Sequence, residues 1–218
     1  MPYETFFNLP DEKRNRLLEV LLDEFADNDY KNVSVGRIVD RVGIAKGSFY
    51  QYFADKQDCY LYLIQLGMEE KTAFLRQLPP DGTTDLFGRL RWMLNAGMRF
   101  QFKSPRLAKI SYKAIFDDVP LPEETMRAIR NGGYAYFQQQ VVVEIESGRI
   151  DPVTDPDTAA FMLNAVFVDL GRYLMERYAI SPEQLLREPS QAFEQDEIHR
   201  TIEQVISILE DGLRKKGR

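Results

Sequence analysis

The chain has 218 residues, a net charge of −6, 44% hydrophobic and 28% charged residues, and one cysteine and one histidine. A chain of this size buries a sizeable core without cross-links, and a single Cys and a single His exclude a disulfide framework and a multi-ligand metal site. We therefore expect a globular cytoplasmic protein with no cofactor, and neither a secretory leader at residues 1–11 nor a membrane span, because the longest nearly apolar stretch, 159–168, is too short.

Apolar residues recur at helical spacing along almost the whole chain, and no segment shows the sustained alternation typical of strands. This pattern predicts an all-α fold. The first helix is expected to begin near Pro10, with acidic residues in its opening turn, and to end around 28–30. Its apolar stripe comprises Leu17, Leu18, Leu21, Leu22 and Phe25.

Two short helices are predicted next. Ser34 is a good N-cap for the second helix, which Gly43 ends. The apolar set of that helix is Val35, Ile38, Val39 and Val42. A third helix over about 45–52 offers Phe49 and Phe53 to a core, and Lys56 lies just inside a long fourth helix reaching about residue 77.

Proline and helix caps mark the later boundaries. Further helices are expected to open at Thr84, at Pro105 and at Pro120 or Pro122, the last of these ending at Gly148. Another runs from Asp155 to about 180, a short turn of helix follows Ser181, and the last helix spans about 191–214.

Charge is distributed unevenly near the N-terminus. Residues 31–56 carry five basic and two acidic side chains, a local charge of +3 on an acidic protein. A local positive patch can contact phosphate because fields act within a Debye length, about 8 Å at physiological salt.

The second and third helices, joined by a tight glycine turn, have the layout of a helix-turn-helix. If Ile44, Phe49 and Phe53 face inward, the outward faces carry hydrogen-bond donors that can contact phosphates. They also carry amide and hydroxyl groups that can contact base edges. Those residues are Lys46, Gly47, Ser48, Tyr50, Gln51 and Tyr52. On spacing alone, a plain helical hairpin is an equally good interpretation.

The run from Ser34 to Lys56, SVGRIVDRVGIAKGSFYQYFADK, closely resembles the DNA-binding signature of the TetR family of bacterial transcriptional regulators. The Val-Gly-Ile turn, the sequence GSFY, the pair Tyr52-Phe53 and Lys56 all fall in register. Ala45 stands where that family often has a capping Ser or Thr, so the cap of the third helix must come from backbone or water.

The resemblance implies a helix-turn-helix domain over residues 1–56 and a helical ligand-binding and dimerisation domain over 57–218. It implies a homodimer that binds double-stranded operator DNA with palindromic symmetry and is released, as a repressor, by a small hydrophobic or aromatic effector. The residues it assigns to DNA are Ser34, Arg37, Lys46, Gly47, Ser48, Tyr50, Gln51, Tyr52 and Lys56.

Aromatic side chains concentrate in the middle of the chain, and a few polar residues are embedded in apolar stretches there. A subset lining an apolar pocket would suit such an effector. The candidate effector residues are Trp92, Asn95, Phe100, Tyr112, Phe116, Tyr134, Phe137 and Asn164. Most of these aromatics are also compatible with an ordinary core.

The last two long helices have broad apolar faces, which predict a dimer interface. The interface candidates are Phe161, Ala165, Val168, Ile202, Val205 and Leu209. An intrachain core alone also explains both faces.

Two other classes of protein fit the composition: a helical ligand-binding or adaptor protein without DNA binding, and a helical enzyme. An enzyme would need acid, base or metal groups in a pocket, and no spacing of carboxylates singles out such a set. Binding to DNA separates the regulator from both alternatives.

Overall fold

A computed structural model describes residues 1–78, 82, 85–116, 119, 121–180 and 196–214, and every side chain in these except those of residues 102, 116 and 128–132. Ten α-helices lie in this part of the chain. They are α1 (Glu4–Phe7), α2 (Asp11–Asp27), α3 (Val35–Val42), α4 (Lys46–Tyr52), α5 (Lys56–Gln77), α6 (Leu86–Lys103), α7 (Pro105–Phe116), α8 (Glu123–Glu146), α9 (Pro156–Arg177) and α10 (Asp196–Leu213).

The all-α prediction is confirmed. No strand occurs in the ranges given above, where the one extended pairing is an isolated antiparallel bridge between Ile150 and Arg214. The helix expected after Ser181, the openings expected at Thr84 and Pro120, and the opening of the last helix near 191 lie outside those ranges. None of the ten helices is both long enough and apolar enough to cross a membrane.

The predicted caps explain where several helices begin and end. Ser34 Oγ accepts a hydrogen bond from the Arg37 backbone N–H at 3.4 Å, and Gly43 ends α3 with φ of +79°, a left-handed conformation that favours glycine. The start of α9 is fixed in the same way, since Asp155 accepts from the Thr158 backbone N–H at 2.9 Å. The N-cap of α4, Ala45, has no side-chain hydrogen bond, as expected.

The chain forms two compact units. The first comprises Met1–Phe74 with Ser104–Glu123, and the second comprises Leu75–Lys103 with Glu124–Arg218. This division by packing differs from the functional division predicted at residue 56, because most of α5 and all of α7 belong to the first unit. The functional division stays a prediction.

Ionic contacts join α7 to α2 inside the first unit. Arg106 pairs with Glu19 and Asp23, each at 2.7 Å, and Asp23 also accepts from Arg41 on α3 at 2.7 Å. Lys113 donates to two backbone carbonyls at the end of α2, at 3.0 and 2.9 Å. Arg41 and Arg106 therefore share one carboxylate, which connects α7 with the end of α3.

Candidate nucleic-acid interface

The frame of the candidate site is the pair α3 and α4 packed on α2. Ile38, Val39 and Val42 of α3, like Phe49 of α4, are buried in the core of the first unit, and Ile44 of the intervening turn packs against it. This is the burial that the helix-turn-helix interpretation predicts. A rigid support of this kind fixes the outer face of α4 relative to α3.

The outer face of α4 carries most of the side chains predicted to meet DNA. Lys46, Gly47, Tyr50 and Gln51 are exposed, with Tyr50 at 46%, and Ser48 is partly exposed. This face combines a cation, an amide, two hydroxyls and an open backbone, which are the groups that contact phosphates and base edges.

Lys46 is available for a new partner. Its ammonium group makes no hydrogen bond or ion pair with any side chain that the structure describes, and the same is true of Lys31. Arg37, Arg41 and Lys56, the other basic side chains of residues 31–56, all have internal partners.

Arg37 is held by a buried carboxylate. Glu24 of α2 is 3% exposed, and its Oε1 accepts from Arg37 Nε at 3.0 Å and from the Ser34 backbone N–H at 3.1 Å. Arg37 Nη2 also donates to the Asn32 carbonyl at 2.6 Å. These bonds fix the start of α3 and engage Nε and Nη2 of Arg37, whose side chain is still 52% exposed.

Lys56 is engaged in a similar way. Its Nζ donates to the carbonyls of Tyr30 and Val33 at 2.8 and 3.3 Å, and it lies 4.4 Å from the centroid of the Tyr30 ring. Lys56 thus ties the start of α5 to the segment before α3. Its predicted contact with phosphate remains a prediction.

Tyr52 is placed differently from the outward face predicted for it. The residue is only 5% exposed, and its ring packs edge-on against Phe6 with centroids 6.5 Å apart. The core extends to Tyr52 because α1 covers the end of α4. The sequence pattern does not reveal α1, since four residues are too few to establish a helical period.

The candidate effector residues are divided between the two units. Tyr112 and Phe116 lie on α7 in the first unit, and the other six lie in the second unit. Phe137 is buried in the core of the second unit, and Phe100 is buried on α6.

The polar members of that set have local partners in the second unit. Trp92 donates to the Leu78 carbonyl at 2.6 Å, Asn95 to the Arg91 carbonyl at 2.9 Å and Tyr134 to Asp157 at 3.2 Å. Asn164 Oδ1 lies 2.3 Å from the point that a Cβ on Gly133 would occupy, so α8 approaches α9 closely there.

The dimer candidates divide between surface and core. On α9, Phe161 is 64% exposed, and Ala165 and Val168 are exposed on the same face, at spacings of four and three residues. The prediction for Ile202 is wrong, because it is 2% exposed and buried in the chain's own core.

The rest of the predicted α10 face also packs inward. Val205 and Leu209 are partly buried against the same core, whereas Ile208, which was not predicted, is 72% exposed. The intrachain core that the sequence left open therefore explains much of the α10 stripe. No cluster of three or more His, Cys, Asp or Glu suited to a metal occurs among the residues with described positions.

Comparison with known proteins agrees with this geometry. Residues 17–63 match the bacterial regulatory proteins of the tetR family, and residues 84–214 match the tetracyclin repressor-like C-terminal domain. The crystal structure of a TetR family transcriptional regulator from Chloroflexus aurantiacus J-10-FL is similar over 99% of this chain and 100% of its own, with 63% identity and a TM-score of 0.84.

More distant proteins are also similar. The HTH-type transcriptional activator FasR of Mycolicibacterium smegmatis is 33% identical over 90 residues, which are 41% of this chain and 41% of the activator. This chain thus spans about two fifths of the length of the curated relatives it matches. The fatty acid degradation regulator FadR from Bacillus halodurans shares the fold, with a TM-score of 0.65 at 16% identity over 96% of this chain and 100% of its own.

Proposed function

Because the chain belongs to the TetR family of bacterial transcription regulators, which are not enzymes, we propose that it is a ligand-responsive repressor that reads operator DNA with α4. The observation that carries this proposal is the exposed face of α4, with Lys46 unengaged beside Tyr50 and Gln51. The buried frame beneath this face holds it in place, as recognition in a major groove requires.

The proposed contacts follow from exposure and chemistry. Lys46 contacts a phosphate, Gly47 lets the backbone approach, and Tyr50 and Gln51 reach base edges, with Ser48 beside them. Ser34, Arg37, Tyr52 and Lys56 are a second group. Each of them has hydrogen bonds or packing contacts within the chain, so we assign them to support of α3 and α4 first and to phosphate second.

A second copy of the chain is proposed to cover the exposed apolar residues of α9. We define the α9 surface as Phe161, Met162, Ala165 and Val168, all of which are exposed. A dimer with two-fold symmetry presents two copies of α4 to half-sites about 34 Å apart, which matches a palindromic operator.

Selection from a library of random duplexes tests the DNA-binding proposal. The full-length wild-type chain is expected to enrich a palindrome with half-site centres about 10 base pairs apart. Gln51→Ala is expected to relax base preference at one symmetric pair of positions, while Gln77→Ala, an exposed glutamine at the end of α5, leaves the enriched sequence unchanged. No enrichment by the wild-type chain would contradict the proposal.

The effector is proposed to be a small hydrophobic or aromatic molecule bound among the helices of the second unit. The support is Tyr134, which packs against the core that contains the buried Phe137, together with the partly exposed Trp92 on α6 of the same unit. Release of DNA requires that the ligand favour the conformation that binds DNA poorly, and a tenfold effect needs about 1.4 kcal/mol of coupling.

Trp92, the single tryptophan, supplies the measurement for this step. A ligand from a hydrophobic library should change its fluorescence and lower affinity for the enriched duplex at the same concentration. Val153→Ala, at a loop residue that is 87% exposed, is the control and should leave both responses intact. A library in which no compound changes either signal would contradict this part of the proposal.

A further inference from the structure

The segment before α2 meets the C-terminal end of α4. We call residues 2–8 the N-terminal segment; it includes α1 and precedes the stretch 17–63 that matches the family. Its sequence has no Lys or Arg, so attraction to phosphate is not its role. Its contacts with α4 are therefore the feature to be explained.

The first contact is through backbone carbonyls of α4. The last carbonyls of an α-helix have no partner within the helix, and in a helix of seven residues they are a large share of the total. The Thr5 hydroxyl donates to the Gln51 carbonyl, and the Tyr3 backbone N–H donates to the Tyr52 carbonyl at 2.8 Å. The N-terminal segment thus supplies donors for the last two carbonyls of α4.

The second contact is through aromatic rings. Phe6 is fully buried, and its ring centroid lies 5.2 Å from that of Phe53 and 5.4 Å from that of Tyr62 on α5. The ring centroid of Phe6 also lies 6.5 Å from that of Tyr52. The N-terminal segment therefore packs between the end of α4 and the following helix. Aromatic pairs at these distances add stabilisation beyond the area that they bury.

These contacts matter because α4 is short and depends on packing around it. A helix of two turns is not stable in isolation, and Ala45 gives its first turn no side-chain cap. Gln51 is the point where support and recognition coincide: its carbonyl is held by Thr5, while its side chain is exposed on the outer face.

We propose that Thr5 and Phe6 are positioning residues for DNA recognition, because they fix the C-terminal turn of α4 from which Tyr50 and Gln51 are presented. This proposal rests on the proposed function. The N-terminal segment acts on the selectivity of binding rather than on electrostatic attraction to DNA. Its contribution is therefore expected in the preference for the operator over random DNA.

The test measures the ratio of affinities of the full-length chain for the duplex enriched by the wild type and for random duplex, well below the unfolding temperature. Thr5→Val removes the hydroxyl donor at nearly constant shape and should lower the ratio about three- to tenfold, the loss expected for one hydrogen bond. Thr5→Ser keeps the donor and should restore the wild-type ratio. Phe6→Leu, which removes the ring contacts, should lower the ratio as well.

Thr72 on α5 offers a matched control. Its hydroxyl donates to the Met68 carbonyl at 2.7 Å on an exposed helix face, so Thr72→Val removes a bond of the same kind away from α4. Thr72→Val should keep the wild-type ratio. If Thr5→Val keeps it too, or weakens binding to both duplexes equally, the proposal is overturned.

Failure of this inference can be distinguished from failure of the proposed function. A wild-type chain that enriches no duplex would overturn the proposed function, and this inference with it. A wild-type chain that enriches an operator while Thr5→Val and Phe6→Leu bind it with unchanged selectivity would overturn only the inference.

Discussion

The fold requires glycine at position 43 but not at position 47, four residues later. Gly43 has φ of +79°, where any other L-residue is strained, so it is needed for the turn between α3 and α4. Gly47 lies inside α4 at an ordinary φ, and a Cβ there would meet nothing within 4 Å. The fold therefore does not require glycine at 47, and an exposed glycine in a short helix costs stability.

The Gly47→Ala variant separates stability from DNA binding. Alanine should raise the free energy of unfolding by about 0.5–1 kcal/mol, because it is the better helix former. The same methyl group should weaken binding to the operator, since it stands where the backbone approaches the groove. Urea unfolding and fluorescence anisotropy with a labelled duplex measure the two effects.

Gly97→Ala in α6 is the control for this variant, because a Cβ at Gly97 also meets nothing within 4 Å. It should raise stability and leave operator affinity unchanged. Operator affinity equal to that of the wild type in Gly47→Ala would contradict a close approach of the α4 backbone to DNA.

Elements with their own caps and stripes are predictable from sequence, and elements fixed by distant partners are not. The bounds of α3 follow from Ser34 and Gly43, which act within one turn. By contrast, α1 exists because Phe6 enters a core built by α4 and α5, and four residues carry no period of their own. On α10, the apolar stripe predicted an amphipathic helix, but burial inside the chain rather than in a dimer was decided by α6, α8 and α9.

The junction of α6 with α10 has a pH dependence of known sign. Burial opposes ionisation of Asp85 and Glu210, but hydrogen bonds outweigh it. Asp85 accepts from the Gly88 backbone N–H and from Arg214, and Glu210 accepts from Arg91 and Arg214, so the pKa of each carboxyl lies below its ordinary value. The unfolded chain therefore binds more protons near pH 4. The stabilisation that these ionised carboxylates give the folded state is present above the ordinary carboxyl pKa. It is lost as the pH falls through the lower pKa of the folded state.

Arg214→Gln removes the arginine that pairs with both carboxylates, Asp85 at 2.8 Å and Glu210. The variant should lose less than about 1 kcal/mol per pair at pH 7, because these are partly solvated ion pairs. At pH 3 it should match the wild type more closely. Arg200→Gln, a variant of a 71% exposed side chain on α10, should show no such difference. Equal losses for Arg214→Gln at both pH values in urea unfolding would contradict the assignment.

At the scale of the whole molecule, the pairing of α7 with α2 makes the first unit discontinuous in sequence. Ser104–Glu123 belongs to the first unit although about 30 residues of the second unit precede it in the chain. Local periodicity carries no information about such pairing, so the sequence did not predict it; the boundary at 56 is the functional division that the family resemblance implies. The sequence did identify the outer face of α4, because the pattern of that one helix predicts that Phe49 is buried and Lys46 is exposed.

The α9 surface is expected to hold two copies together. Phe161→Glu places a charge where the partner would bury it, at a cost of several kcal/mol, and should yield a monomer in sedimentation experiments with reduced operator affinity. Val153→Glu makes the same kind of change at a loop residue that is 87% exposed and should remain dimeric. A Phe161→Glu variant that sediments as a dimer would place the interface elsewhere.

The salt dependence of operator affinity, compared between the wild type and Lys46→Ala, tests most directly that α4 meets DNA. Each phosphate contact adds about 0.9 to the slope of log K against log salt, so loss of one per subunit should reduce the slope of a dimer by about 2. Arg200→Ala removes the same charge from α10 of the second unit and should leave the slope unchanged. A Lys46→Ala variant with the slope and affinity of the wild type would contradict binding of DNA through this face of α4.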